Sequence, residues 1–303
     1  MTYFLMFDVG GTKIKAGIFT DTGNLSDGRI RSFDSKANRP KDEIFRNFAD
    51  IINSLIEQIR DSKKQIAGIG MAFPGPFDYE NGVSKMTGLN KYDAIYGCDF
   101  KKELMEELKK TKAVKWMKKE PDFTFIHDVE AFATGESHYG AGACRRRVMY
   151  LCIGTGAGSS FTKEGKVLKS EADNVPENGW IYNTPFKDSV IDDYISSRGL
   201  RKISGKYLEE PADGAILYEM ALRKEQGALQ AFHEFGSWLA EAIAPFLQAF
   251  SPDCLVLGGQ ISKSYDFFGK QLDRCCKERG IAVELTEDTS LSILKGLFVQ
   301  MRI

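Results

Sequence analysis

The sequence predicts an α/β fold in two similar lobes with a ligand cleft between them. Three observations support this. Apolar runs of strand length alternate with segments of helical periodicity. A glycine-rich turn follows an apolar run once in each half, as "FDVGGTK" and "LCIGTGAGSS". Each turn then leads straight into a second strand. At 303 residues the chain has room for two domains of ordinary size. The two hairpins are an architectural echo, too weak to count as a sequence repeat.

Residues 3–7 are an unbroken apolar run ending at Asp8, and "IKAGIF" at 14–19 follows one tight turn, so a β-hairpin with a buried first strand is expected. The spacing of Ile44, Phe45, Phe48, Ile51, Ile52, Leu55, Ile56 and Ile59 predicts a helix over 43–59, with Pro40 and Asp42 as start signals. "QIAGIGMAF" at 65–73 reads as a buried strand ended by the rigid "PGP" loop. A lysine-rich amphipathic stretch over 101–119 leads to Pro121 and the strand "FTFI". Composition shifts near 115–122, which sets the expected lobes at 1–118 and 119–289, with a C-terminal helix over 290–303 as a candidate for completing the first lobe. The second half begins as the first did, with a strand, a helix over 129–141, and then strand, glycine turn and strand. Residues 164–190 read as loops and short strands near a site. A long helix over 228–250 carries Phe232, Phe235, Leu239, Ile243, Phe246 and Phe250 on one face, with a kink expected at Pro245. "CLVLGGQI" at 254–261 is a strand running into a Gly-Gly turn and a helix.

Charge excludes some classes of function. The 41 Lys and Arg residues against 42 Asp and Glu give a net charge of −1, so nothing global draws the chain to nucleic acid or to an anionic membrane. The N-terminal apolar run lacks a basic region and is too short for a signal peptide or a span. The six cysteines show neither disulfide-scaffold density nor a CxxC spacing. A reduced, cytoplasmic, soluble protein is the expectation. "CRRRV" and the six lysines between 109 and 119 read as solvated. His138 and His233 lack ligand-spaced partners and read as solvated or capping, and vicinal Cys275 and Cys276 are assigned no redox role.

Glycine turns after buried strands are natural anion cradles, because no Cβ blocks the approach of an anion to the backbone amides. The chain has three candidates, "DVGGTK" at 8–13, "GTGAG" at 154–158 and "LGGQ" at 257–260. No Walker A loop occurs, and "GTGAG" does not satisfy GxGxxG, which argues against a dinucleotide site. Each turn taken alone reads more readily as a structural hairpin than as a cradle. The first carries more chemistry: Asp8 could hold a hydrated Mg²⁺ while Thr12 and Lys13 reach phosphate oxygens. Asp128 stands where a strand meets a helix, as an N-cap or as a base. Ligands of open α/β sheets collect at the C-terminal ends of strands, so cradles plus a carboxylate there suggest a kinase for an alcohol.

"FDVGGTKIKAGIF", "GIGMAFPGPFDYENGV", "HDVEAFATGE", "LCIGTGAGSS" and "CLVLGGQIS", in this order, resemble the ROK family of sugar kinases and sugar-responsive repressors over nearly the whole chain. The resemblance implies an actin-like fold of the hexokinase and ribonuclease H type, closing over ATP and a sugar. It implies that Asp128 takes the proton from a sugar hydroxyl. It also places Asp8, Gly10, Gly11, Thr12 and Lys13 in the first phosphate motif, Gly154, Thr155 and Gly156 in the second, and Gly258 and Gly259 near the adenosine. Sugar contacts implied in the same way are Gly75, His127, Glu177, Trp180 and Asp192. Mg²⁺ held by Asp8 through water, and a homodimer, follow from the family as well.

The chain departs from the family pattern in several places. His127 replaces an asparagine and has a different reach; it is either a sugar contact or a structural residue. "PENGW" at 176–180 keeps Glu177 but puts Trp180 where many members have a zinc-binding histidine, and the accompanying cysteine cluster is missing, so no zinc is expected. Trp180 reads as a stacking partner for a sugar, as in the zinc-free branch resembling β-glucoside kinases, or as core. Asp192, in "VIDDYISSRGL", stands where the family has a glutamate. Phosphorylation of a primary hydroxyl is the expected activity, the 6-OH of a hexose, N-acylhexosamine or β-glucoside. The alternative is a non-catalytic sugar sensor without its own DNA-binding domain, since the phosphate strand begins at residue 2.

Overall fold

The computed structural model describes residues 1–302; Ile303, the last residue of the expected C-terminal helix, lies outside them. Two compact units form, one from Met1–Gly135 together with the chain from Ser290 onward, the other from Glu136–Thr289.

In the first part of the chain lie β1 (Thr2–Val9), β2 (Lys13–Thr20), β3 (Arg31–Asp34), α1 (Lys41–Gln58), β4 (Gln65–Phe73), β5 (Phe77–Asp78), β6 (Val83–Ser84), α2 (Phe100–Leu108), β7 (Met117–His127) and α3 (Asp128–Tyr139). The sheet order is β3-β2-β1-β4-β7, with β2 antiparallel to β1 and β3, and with β1, β4 and β7 mutually parallel. β1 is apolar from Tyr3 to Phe7 because both faces of the sheet are covered there. Leu5 and Phe7 join the core with Phe45, Phe48 and Ile52 of α1. On the other face Phe4 and Phe19 meet Phe298 of α9 (Thr289–Arg302), the last helix, at ring separations of 5.6 and 5.9 Å. Glycines let α3 and α9 cross backbone to backbone. A Cβ on Gly135 would sit 1.9 Å from the Ser292 carbonyl oxygen, and one on Gly296 would sit 1.9 Å from that of Ala131.

The second unit contains β8 (Arg147–Ile153), β9 (Ala157–Lys163), β10 (Lys166–Leu168), β11 (Pro185–Phe186), β12 (Ser189–Val190), α4 (Ile191–Tyr194), α5 (Ser197–Ser204), α6 (Gly214–Leu222), α7 (Gln226–Phe250), β13 (Cys254–Gly258), α8 (Tyr265–Lys277) and β14 (Ala282–Leu285). Its sheet order, β10-β9-β8-β13-β14, repeats the first sheet strand for strand, with β9 antiparallel to β8 and β10, and with β8, β13 and β14 parallel. α7 continues through Pro245 and buries Phe232, Phe235, Leu239, Ile243 and Phe250. Phe246, expected on the same face, is only partly buried and packs at the edge of this core.

The division of the chain falls after Gly135, not at 118/119. β7 hydrogen-bonds alongside β4 from Met117 to His127, so the first sheet retains that strand and the start of the helix after it. Likewise the lysine-rich stretch is helical only from Phe100 to Leu108, after which a short 3₁₀ turn covers Lys112–Trp116.

Candidate active site

In the first unit β1 and β2 close on Gly10–Lys13, and every carbonyl at the tip of this turn is turned inward. The Gly10 carbonyl accepts the Tyr92 hydroxyl at 3.1 Å and the Gly11 carbonyl accepts the Ser35 hydroxyl at 2.6 Å. The Thr12 carbonyl accepts the Ser35 amide at 3.1 Å. The amides of Gly11 and Thr12 make no hydrogen bond among the described residues, so they remain open to an anion. Asp8, at the end of β1, pairs across the hairpin with Lys15. Between the two, the Ser290 hydroxyl donates to Asp8 Oδ2 at 3.1 Å and accepts from Lys15 Nζ at 2.7 Å. Sequence reasoning missed Tyr92, Ser35, Lys15 and Ser290, because their hydrogen bonds here span 23 to 282 residues of chain.

Asp128 starts α3 at the C-terminal end of β7. Its Oδ1 accepts the Val129 amide at 2.8 Å and lies 3.0 Å from His127 Nδ1, while Oδ2 takes no hydrogen bond among the described residues. The cap and the base of the sequence reading are therefore compatible, since the helix amide engages one oxygen and leaves the other open. His127 stands beside this carboxylate, and a Cβ on Gly75 would sit only 3.7 Å from His127 Cδ2 and from the Tyr79 hydroxyl. Tyr79 meets the His127 ring edge-on at 5.9 Å and donates its hydroxyl to the Phe73 carbonyl at 3.0 Å. Burial foremost, then the charges of Asp128 and Glu130, hold the Tyr79 phenol protonated far above its ordinary range. An aromatic cluster of Phe73, Phe77, Phe100 and Phe125, with the Phe73 and Phe77 rings stacked at 4.8 Å, fixes the strand ends that carry these groups.

The second unit repeats the cradle at Gly154–Gly156. The Gly154 carbonyl accepts the Ser197 amide at 2.8 Å, the Thr155 carbonyl accepts Arg198 Nη1 at 3.0 Å, and the Gly156 carbonyl accepts the Gly154 amide at 3.0 Å. The amides of Thr155 and Gly156 make no hydrogen bond among the described residues. A cavity of about 480 Å³ opens beside this turn, lined by Thr155, Leu200, Ala215, Tyr218, Ile261 and Lys263 among others. Gly258 and Gly259 precede that lining but do not join it. The Gly259 amide is already used by the Thr289 hydroxyl at 2.9 Å, and Gly259 has a φ of +89° with Ile153 so near that a Cβ would sit 2.2 Å from its carbonyl oxygen. This third turn is thus a close-packing device against β8, unlike the two open cradles.

Asp192, expected among the sugar contacts, lies beside the second cradle, its Oδ1 2.7 Å from where a Cβ on Gly156 would sit. Its Oδ1 accepts the Ala157 amide at 2.7 Å and its Oδ2 accepts Arg198. Glu177 opens a short turn whose Asn178 and Gly179 both have positive φ, and Trp180, only partly buried, lies 6.1 Å from the Tyr182 ring. Ser159 of β9 anchors this segment through the Gly179 carbonyl at 2.6 Å and the Ile181 amide at 2.9 Å. Among the described residues no group of three His, Cys, Asp or Glu side chains is placed to hold a metal ion, and no helix is long and apolar enough to cross a membrane.

Two matched sheets, each with an amide cradle at its first hairpin, define a phosphate-handling α/β protein of the hexokinase-like, two-lobed class. A crystal structure of the ROK hexokinase from Thermus thermophilus superposes with a TM-score of 0.73 at 18% identity, covering 99% of each chain. The ROK family matches residues 5–291, and the chain belongs to it. Curated relatives include a glucokinase of Thermotoga maritima, 25% identical over 85% of this chain and 81% of its own. An N-acetyl-D-glucosamine kinase of Mannheimia succiniciproducens is 22% identical over 88% of this chain and 87% of its own.

Proposed function

We propose that the chain is a sugar kinase that moves the terminal phosphoryl group of ATP to a primary hydroxyl of a hexose, an N-acylhexosamine or a β-glucoside. The observation that carries this reading is the state of Asp128, whose Oδ1 accepts the helix amide and lies 3.0 Å from His127 Nδ1 while Oδ2 takes no hydrogen bond among the described residues. The names of the two relatives support the substrate class. In this reading the open oxygen of Asp128 takes the hydroxyl proton as the sugar oxygen bonds to phosphorus and the bond to the ADP leaving group breaks. Such base assistance contributes about 10²–10⁴-fold.

The open amides of Gly11 and Thr12, and of Thr155 and Gly156, bind and orient phosphate oxygens, with Lys13 beside the first pair. The cavity over Leu200, Tyr218 and Ile261 suits a nucleoside, being largely apolar with a few polar groups at its edge. Asp8 is an oxygen donor of the kind Mg²⁺ accepts through water, and the Ser290 hydroxyl on its Oδ2 offers oxygen as well, with Lys15 on the far side of that hydroxyl, so the carboxylate fits a hydrated ion. Bound there, Mg²⁺ supplies neutralisation of phosphate charge. Purified protein given ATP, Mg²⁺ and a sugar panel is expected to phosphorylate at least one sugar, and Asp128→Asn to lose about 10²-fold or more in kcat. Equal inertness of wild type and variant across a broad panel overturns the reading.

A further inference from the structure

A further cation, Lys91, lies at the first cradle. Gly11 lacks a side chain, and Lys91 occupies the space above it. A Cβ on Gly11 would sit 3.1 Å from Lys91 Cδ, 3.6 Å from its Cβ and 3.9 Å from its Cγ. The lysine stem therefore lies across the turn whose amides are open.

The loop that delivers Lys91 is unusually constrained. Gly88, Asn90 and Tyr92 all adopt left-handed backbone, with φ of 68°, 54° and 59°. Such a conformation persists in non-glycine residues only where the surroundings over-determine it, and at functional sites it is often retained. Here the Asp93 carboxylate accepts the amides of Leu89 and Asn90, each at 3.2 Å. Tyr92 is fully buried, donates its amide to the Ala37 carbonyl at 2.6 Å, and reaches the Gly10 carbonyl with its hydroxyl. One tyrosine thus fastens the Lys91 loop and shapes the cradle.

The Lys91 ammonium makes no hydrogen bond or ion pair among the described residues. Asp93, two residues on, is engaged by backbone amides. A polar cavity of about 530 Å³ adjoins the turn, lined by Gly11, Thr12, Lys36, Arg39 and Asn90, with Asp34 and Glu43 as its carboxylates. Two open amides and a held but unpaired ammonium together recognise an anion with several oxygens.

We propose that Lys91 contacts the terminal phosphate of the nucleoside triphosphate donor, its ammonium neutralising charge on the group being transferred. The proposal rests on the kinase reading above. The first cradle lies in the same unit as Asp128, the base of that reading, and closes a hairpin of the sheet whose strand β7 leads into Asp128, so the terminal phosphate belongs to it.

The test is calorimetric titration of wild type, Lys91→Met and Lys91→Arg with ATP and with ADP in the presence of Mg²⁺, alongside steady-state kinetics. Lys91→Met keeps the apolar stem over Gly11 and removes only the charge. It is expected to weaken ATP by about tenfold while leaving ADP within about twofold, and to lower kcat by about 10²–10³-fold. Lys91→Arg is expected to recover part of both losses. Equal weakening of ATP and ADP, or a Lys91→Met variant that matches wild type, overturns the proposal and leaves the kinase reading intact. A wild type that turns over sugar with inorganic polyphosphate but binds neither nucleotide also overturns it. A wild type that binds neither nucleotide and phosphorylates nothing removes the kinase reading itself.

Discussion

The turn at residues 10–13 and the turn at 154–156 close the same hairpin in sheets of the same strand order, and both tie back their carbonyls and leave two amides open. The groups that do the tying differ. In the first unit they are neutral, Tyr92 and Ser35, and the charges of Asp8, Lys15 and Lys91 gather close by. In the second the tie is Arg198, held by Asp192, and the space beside the turn is largely apolar. One backbone device thus stands in two settings, among charged side chains in the first unit and beside largely apolar surface in the second.

Breaking this division should give effects of graded size. The largest is expected at Asp8. Asp8→Asn removes the charge of the first cradle and is expected to lower kcat by about 10²–10³-fold while leaving ADP affinity, read by calorimetry, within a few-fold. An equal loss of ADP affinity would show that the two cradles do not divide the labour. Next come the close-packed glycines. Gly259→Ala places a Cβ 2.2 Å from the Ile153 carbonyl oxygen at positive φ, and a loss of about 1–3 kcal/mol or more in urea denaturation is expected. Gly10→Ala, whose Cβ would meet the Lys13 carbonyl at 2.9 Å without positive φ, should cost less.

Asp192→Asn separates the units further, because it weakens the hold on Arg198 and on the Ala157 amide. It is expected to raise KM for ATP several-fold with KM for the sugar unchanged. The opposite pattern would return Asp192 to the sugar site that the sequence suggested.

The smallest effect is with pH. Burial raises the thiol pKa of Cys254 to about 11 and that of Cys276 to about 12, and it raises the phenols of Tyr79, Tyr92, Tyr150 and Tyr265. Each of these acids keeps its proton in the folded chain after the unfolded chain has lost it. Stability is therefore intact below the ordinary thiol pKa of about 9 and declines as pH rises through about 9–12. Four of the six groups lie in the second unit, so hydrogen exchange near pH 10 should show that unit opening before the first. Uniform protection would contradict this.

Much of the architecture could be read in the sequence because it rests on local pattern. The 3.6-residue spacing from Ile44 to Ile59 predicted α1 to within two residues, and the apolar run before Asp8 marked a strand covered on both faces. Asp128 was recognisable at a strand-to-helix junction. The hydrogen-bond partners of Asp192 were not, since Ala157 and Arg198 sit on other elements and carry no periodic signal. Lys91 showed even less. "TGLNKYD" announces a turn, but nothing in it says which glycine that turn will cover.

The sequence alone determined which segments are helix or strand, where glycine frees the backbone, and which five motifs mark the family. These depend on side-chain periodicity and backbone sterics over a few residues. Only the tertiary structure decided that β7 belongs to the first sheet, that Gly259 is a packing contact and not a cradle, and that Lys91 lies across Gly11. Parallel strand pairing and the close approach of distant loops are set by packing across the whole core, and no local pattern encodes them.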